Sequence, residues 1–378
     1  MMLASIWLQR EWRNFVPAVL AVAFSCLMLA LQAALVMGIF GSAAVYIHSS
    51  DADLWVGRPG TQSVNFGQPI GMNVESMLRV HPDVQAVEPY LWVDANWRGA
   101  PTPQAGAAVP VYVSGIEPAL QGLAFSRLLS ADMRDRLNAP GAVIVDRADL
   151  EQLGTRVGER AWINDVAVDV VGAVAGLRAL GGVNVIASMT TAREIDETDQ
   201  GARPTYLLVS LRVGADPITT RDALANQSGV GPYQVWTAEE FADQSERYWL
   251  LETGAGAAVL FMAAIVFIVG AVVTGQALVS VVARASREFA VLMALGVSRS
   301  ALCRVVLVLA ALIGLVGIVV GMLGTLLLFG LATWRDVPVG MNSSVAAVCA
   351  IAILGLSLCS GLFAMRGLVQ AEPATLLR

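Results

Sequence analysis

Hydrophobic and polar positions divide this chain into four long apolar runs and one mixed segment. From Phe15 to Ile47 no charged side chain occurs in 33 residues, and only Pro17, Gln32 and small polar groups interrupt the run. Thr253 to Ala283, Val305 to Trp334 and Val345 to Ala364 are equally free of charge. A helix needs about 20 apolar residues to cross a hydrocarbon core, so the pattern predicts four transmembrane helices. The first run exceeds that need: as one helix it would be about 50 Å long against a core of about 30 Å, which predicts an outward stalk. It also exceeds the roughly 7 to 15 apolar residues of a cleavable signal, so a retained helix is expected. Thr237-Ala-Glu-Glu begins like a capping box, and no proline occurs from Tyr233 through Val337. A second stalk is therefore expected to run unbroken into span two.

The segment between the first two runs has a different rhythm. Strands are predicted over Ala52–Val56, Ala86–Trp97 and Val109–Gly115, with a helix over Val74–Val80. Ala142–Asp146 reads as a strand and Arg147–Leu153 as a helix stopped by Gly154. Arg160–Ile163 and Val166–Val174 read as a hairpin about Asn164-Asp165. Val183–Ser188, a helix from Thr191 and Tyr206–Val213 follow, then a helix over Asp216–Asn226 and a returning strand over Tyr233–Trp236. The expected fold class is a membrane α-helical protein of four spans plus an α+β extracytoplasmic domain of two subdomains, divided after the strand that ends at Gly115.

Composition supports that division. Hydrophobic residues make up 56% of the chain and charged residues 14%, outside the soluble range. Twelve of the fifteen prolines fall between Pro59 and Pro232. All 24 basic residues are arginine, which excludes a P-loop, Schiff-base or kinase-type lysine. Two histidines and four cysteines, with no CxxC or HExxH, exclude a zinc site of usual spacing. No cofactor, metal or catalytic residue is expected. The short flanks of the spans, carrying Arg10, Arg13, Arg284, Arg287, Arg299, Arg304, Arg366 and Arg378, sum to +5, whereas residues 48–249 carry a net −10. The positive-inside rule then places both termini in the cytoplasm and the large segment outside.

Few residues stand out as candidate chemistry. With no charge in the spans, a proton or ion pathway is disfavoured; Gln32, Thr274, Gln276 and Thr325 are expected to make interhelical hydrogen bonds. Gly314, Gly317, Gly321 and Gly324 line one face of span three and suit close helix packing, within the bundle or against a second copy. His81 is expected on the surface at a helix end. Glu194, Asp196, Glu197 and Asp199 read as a solvated helix and loop, lacking calcium-loop spacing. In the cytoplasmic segment, Phe289, Leu292, Met293 and Leu295 share an apolar side, Arg284, Arg287 and Glu288 form a charged end, and Gly296 with Ser298 ends one helix and starts the next. So short an amphipathic helix needs a partner surface or the lipid interface.

Arg287-Glu-Phe-Ala-Val-Leu-Met-Ala-Leu-Gly resembles the loop of the FtsX-like permease family of ABC transporters, and the tail Ala371-Glu-Pro-Ala-Thr-Leu-Leu-Arg is similar to that family's ending. Val111-Tyr-Val-Ser-Gly-Ile-Glu-Pro, Val143-Ile-Val-Asp-Arg, Leu153-Gly and Val157-Gly resemble the MacB-type periplasmic core. Asp51-Ala-Asp-Leu-Trp-Val-Gly-Arg-Pro-Gly, the near-immediate start of span one and the missing lysine are similar to stand-alone DevC-like permeases. The resemblance implies a non-enzymatic bacterial inner-membrane permease, a homodimer or paired permease, whose ATPase is a separate subunit. Residues 284–304 would form the coupling segment, with Arg284, Arg287, Glu288, Phe289, Leu292, Met293, Leu295, Gly296 and Ser298 at the ATPase. Residues 1–14 and 365–378 would be cytoplasmic, 15–47 and 238–283 stalk and span, 48–237 periplasmic, and 335–344 an external loop between spans 305–334 and 345–364. A periplasmic membrane-fusion adaptor, an outer-membrane channel and membrane lipid are the further partners implied; nucleic acid is not. Lipoprotein extraction and cell-wall-hydrolase regulation are the family alternatives, and a membrane sensor is the alternative outside it.

Overall fold

The first apolar run forms α1 (Trp12–Gly41), which a 3₁₀ turn (Ser42–Ala44) and one helical turn, α2 (Val45–His48), continue. This computed structural model describes residues 12–99, 108–197, 203–227, 231–284, 291, 297–334 and 339–370. The chain divides into two units, Met1–Gly38 with Ala257–Arg378, and Ile39–Gly256. In the second unit Ala43, Ala44, Tyr46 and Ile47 are buried. The apolar run is thus longer than a membrane needs partly because its last turns belong to the core of the outer domain.

That domain continues through β1 (Leu54–Gly57), α3 (Met72–Arg79), β2 (Val84–Arg98), β3 (Val109–Ile116), α4 (Ala131–Arg136), β4 (Ala142–Asp146) and α5 (Leu150–Leu153). Then come β5 (Arg160–Ile163), β6 (Val166–Val174), β7 (Val183–Ser188), α6 (Met189–Ile195), β8 (Tyr206–Leu211), α7 (Pro217–Ala225), β9 (Gln234–Thr237) and α8 (Ala238–Arg247). The strands are ordered β3-β7-β4-β6-β5-β2-β8-β1-β9, and β3 also pairs with β2. Six strands therefore close on themselves, while β2, β8, β1 and β9 make an antiparallel sheet. The same strand β2 serves both: Val84–Tyr90 pairs with β8, and Leu91–Trp97 pairs with β3. Pro89, which has no N–H to donate, lies in the half that has only β8 beside it.

Two subdomains are present, but the dividing line differs from the expected one. The antiparallel sheet takes β1, α3, half of β2, β8, α7 and β9, so the closed ring is an insertion between β2 and β8. Pairing of β3 with β7 in parallel register, Val111 opposite Val183, assigns β3 to the ring. Such long-range pairing leaves no local signal. Apolar residues alternate accordingly: Leu91, Val93, Ala95 and Trp97 pack with Val143, Val145, Val168 and Val170 in one cluster. Leu54, Val56, Val74, Leu78, Leu207 and Val209 form another under α3. Trp55, Tyr90, Tyr206, Trp236 and Phe241 face the opposite side with Tyr46 of α2.

The capping box at Thr237 is complete: its side chain accepts from Glu240 N, and Glu240 accepts from Thr237 N. The expected unbroken helix after it is not found. α8 passes into a π-turn (Tyr248–Glu252), and Thr253 is extended, with φ −100° and ψ 151°. Two contacts explain the departure. The Trp249 indole N–H donates to Ser63 Oγ at 3.2 Å, and its ring stacks on Phe66. Thr253 Oγ1 then accepts from Gly256 N at 3.1 Å and starts a new helix as an N-cap.

That helix is α9 (Gly254–Arg284); α10 (Arg299–Trp334) and α11 (Ser343–Gln370) are the further helices among the described residues. Among the described residues four helices are long and apolar enough to cross a membrane. Phe15, Ala18, Val22 and Cys26 of α1, Leu278 and Val281 of α9, Leu309, Ala310 and Ile313 of α10, and Ile353 of α11 form one core. The first half of α9 is different: Phe261, Met262, Ile265 and Ile268 are exposed.

Candidate functional site

The candidate coupling segment joins α9 to α10. Arg284 is the exposed last residue of α9, where a cation complements the carbonyl end of the helix. Ser298 precedes α10; its carbonyl accepts from Ala301 N at 3.0 Å and its hydroxyl lies 3.1 Å from Ser300 Oγ. Arg287, Glu288, Phe289, Leu292, Met293, Leu295 and Gly296 lie outside the described residues. The core that unites the four spans lies at this end of α9 and α10, at Leu278, Val281, Leu309 and Ile313.

The glycine face of α10 meets two different neighbours. A methyl group on Gly314 would come within 3.0 Å of Ser357 Oγ on α11. One on Gly317 would reach Val22 at 2.6 Å, and one on Gly321 the Ala23 carbonyl oxygen at 2.7 Å. On Gly324 it would meet Leu27 at 2.8 Å. Three of the four glycines therefore admit α1, and the fourth admits α11. Gly340, in the segment after α10, donates its N–H to the Ala34 carbonyl at 3.0 Å.

Polar groups in the spans are few. Thr274 Oγ1 donates to Ser25 Oγ at 3.1 Å, and Ser25 Oγ lies 3.1 Å from the Gly270 carbonyl, joining α1 to α9. Ser357 donates to the Ala310 carbonyl at 2.8 Å, joining α11 to α10. Thr325 bonds instead to Gly321 O within its own helix, Gln276 is exposed and Gln32 is half-buried. Ser25 and Ser357 were not singled out by the sequence, because a serine in a membrane helix commonly satisfies itself on the preceding turn.

Titratable groups of the outer domain are engaged structurally. Glu88 is buried and accepts from Leu123 N and Ala124 N. Burial pushes its pKa up, opposed by those two bonds and the Arg134 charge. Arg134, also buried, donates to the carbonyls of Ala119, Gly122 and Ala124. Burial likewise raises Asp149, opposed by Arg178 at 3.3 Å. The His81 side chain is only 10% exposed and lies 3.9 Å from Asp83, so it is not the surface residue expected. Glu194 lies in the last turn of α6, Asp196 follows as its C-cap, Glu197 is exposed beyond it, and Asp199 lies outside the described residues. Among the described residues no group of three His, Cys, Asp or Glu stands close enough to hold a metal ion.

Two family profiles match this arrangement. The MacB-like periplasmic core domain matches residues 16–227, and the FtsX-like permease C-terminal region matches residues 260–373. The chain belongs to the MacB-like, FtsX-like family of ABC transporter permeases. It is a multi-pass protein of the bacterial inner membrane whose large domain, between the first and second spans, is periplasmic. The periplasmic region of MacB from Actinobacillus actinomycetemcomitans is 13% identical, covering 53% of this chain and 95% of that one with a TM-score of 0.37. The extracellular domain of the noncanonic ABC-type transporter YknZ from Gram-positive bacteria is 15% identical, covering 49% and 100%, with a TM-score of 0.34. Comparison with curated proteins gives no match.

Proposed function

We propose that this permease is the force-relaying subunit of an exporter of the stand-alone, DevC-like kind, driven by a separate ATPase. The match to the FtsX-like permease region carries the reading, because residues 260–373 include the whole candidate coupling segment and the three helices around it. In this proposal residues 284–304 lie in the cytoplasm. Phe289, Leu292, Met293 and Leu295 dock in an apolar groove of the ATPase, and Arg284, Arg287 and Glu288 contact its rim. Gly296 and Ser298 set the turn into span three. Two permease subunits, identical or related, would close together when the ATPase closes. Spans one and two would pass that motion to the periplasmic domain, which would act with a membrane-fusion adaptor and an outer-membrane channel.

The interior of the spans supports moving substrate outside the membrane. Its described buried polar groups are hydroxyls and the two thiols of Cys26 and Cys349, and no charge is among them. A hydrophilic substrate has no charged path to follow there. The reading is tested with Leu292→Asp and Gly296→Pro in vesicles that contain the ATPase. Both variants should insert normally and lose export while ATP hydrolysis continues. Unchanged export by both would overturn the assignment of the coupling segment.

A further inference from the structure

A recess of about 360 Å³ opens on the outer domain, lined by Phe66, Asp94, Asn96, Tyr112 and Trp249 with neighbouring backbone. This size is that of a small-molecule site, for which about 300–1,000 Å³ is usual. Its side chains are fixed from behind. Phe66 and Trp249 stack with ring centroids 5.8 Å apart and planes at 23°. Trp92 and Tyr112 lie 5.0 Å apart. Tyr112 donates to the Gly181 carbonyl at 3.3 Å, and a methyl on Gly182 would come within 2.8 Å of the Tyr112 ring. The polar edges of Trp249 and Tyr112 are thus occupied by Ser63 and Gly181, leaving the rings to offer the recess apolar and π surface.

One charge stands among these rings. Asp94 is exposed and accepts from Trp92 Nε1 at 3.1 Å, and among the described residues no arginine lines the recess. Its field reaches the aromatic wall: the Tyr112 pKa is raised first by burial and then by the Asp94 charge. A carboxylate beside aromatic faces attracts a cation twice, through its own charge and through the negative faces of the rings. An anion of the same shape is repelled by both.

We propose that this recess binds a compact organic cation with an apolar body, the charge beside Asp94 and the body against Phe66, Tyr112 and Trp249. The proposal deepens the export reading by naming a substrate class, and rests on that reading only for what happens after binding. Trp249 belongs to the π-turn that precedes span two, so an occupant of the recess touches the segment leading into that span.

The test uses the full chain in detergent with tetraphenylphosphonium as probe and, in separate samples, tetraphenylborate as its anionic counterpart. Saturable tetraphenylphosphonium binding is expected, weakened about tenfold in Asp94→Asn and in Trp249→Leu, with no saturable binding of tetraphenylborate. Asp94→Asn keeps an oxygen for Trp92 Nε1, so its melting temperature should match the parent and any loss of binding is a loss of charge. Equal affinity in the parent and Asp94→Asn, or binding of tetraphenylborate as tight as that of tetraphenylphosphonium, would overturn the proposal. Charge-dependent binding in a chain that recruits no ATPase would uphold the recess and count against the export reading alone.

Discussion

The Tyr46 hydroxyl, one turn beyond the first membrane helix, donates a hydrogen bond to Asn184 Oδ1 inside the outer domain. Asn184 in turn donates to the Leu177 carbonyl. Both side chains are fully buried, and burial, with the neighbouring Tyr90 phenol second, holds the Tyr46 pKa well above its ordinary value. The phenol therefore remains a donor across physiological pH. The turn α2 is fastened by a polar bond in an otherwise aromatic core of the outer domain, where Trp92 lies 4.9 Å from the Tyr46 ring.

Tyr46→Phe should consequently destabilise the outer domain by about 1–3 kcal/mol, the cost of leaving a buried acceptor unpaired. Asn184→Leu in the same background should remove that orphan, so the double variant should lose less than the sum of the singles. Urea unfolding of the full chain in detergent measures the cycle. Additive losses would show that the two side chains are not coupled.

The glycine face makes a sharper steric prediction. Gly321→Ala places a methyl against the Ala23 carbonyl and the Cys26 side chain, and overpacking of this kind costs about 1–3 kcal/mol. Gly355→Ala on α11 meets nothing within 4 Å and should be neutral or slightly stabilising, since alanine restricts the unfolded chain. Thermal unfolding in one detergent compares them. Equal melting temperatures would mean that α10 does not lean on α1.

The pH dependence of the outer domain should carry a signature of Glu88. Its folded pKa is raised above the ordinary 4.5 by burial, so the native state holds the proton more tightly than the unfolded chain. The stability this group contributes is present below about pH 4.5 and is lost as pH rises through the folded pKa. Glu88→Gln keeps an acceptor for Leu123 N and Ala124 N without the charge. Its stability relative to the parent should therefore climb between about pH 4.5 and neutrality, read by hydrogen exchange at Leu123 and Ala124. A constant difference across that range would assign the shift to other groups.

What the sequence made legible was local. Asn164 and Asp165 both take positive φ at the hairpin turn, as their side chains permit, and Thr237 with Glu240 forms the capping box its spacing announced. Four spans followed from length and hydropathy, for which the bilayer sets a threshold. What stayed hidden depends on partners far along the chain. β2 reads as one long strand whichever sheet it joins, so the ring insertion appears only through pairing with β3, β5 and β8. The aromatic recess joins Phe66, Asp94, Tyr112 and Trp249 from four separate segments. Of the candidate coupling residues only Arg284 and Ser298 are described, and their sequence motif remains the basis for their assignment.

The interruption at Thr253 was hidden for the same reason, and it is testable by removing its local cause. Thr253 Oγ1 donates to the Trp249 carbonyl and accepts from Gly256 N, so one hydroxyl closes the π-turn and opens α9. Thr253→Ala loses both bonds, and loss of an N-cap costs a helix about 1 kcal/mol. Amide exchange at residues 254–257 should then accelerate about fivefold. Exchange near Phe241 should stay unchanged, because α8 keeps its own cap at Thr237. If Thr253→Ala instead protects these amides, the π-turn has refolded into a continuous helix. Trp249 would then have to leave Ser63 and Phe66, and the loss of the Trp249 contacts would be visible as a red shift in tryptophan emission that the parent protein lacks.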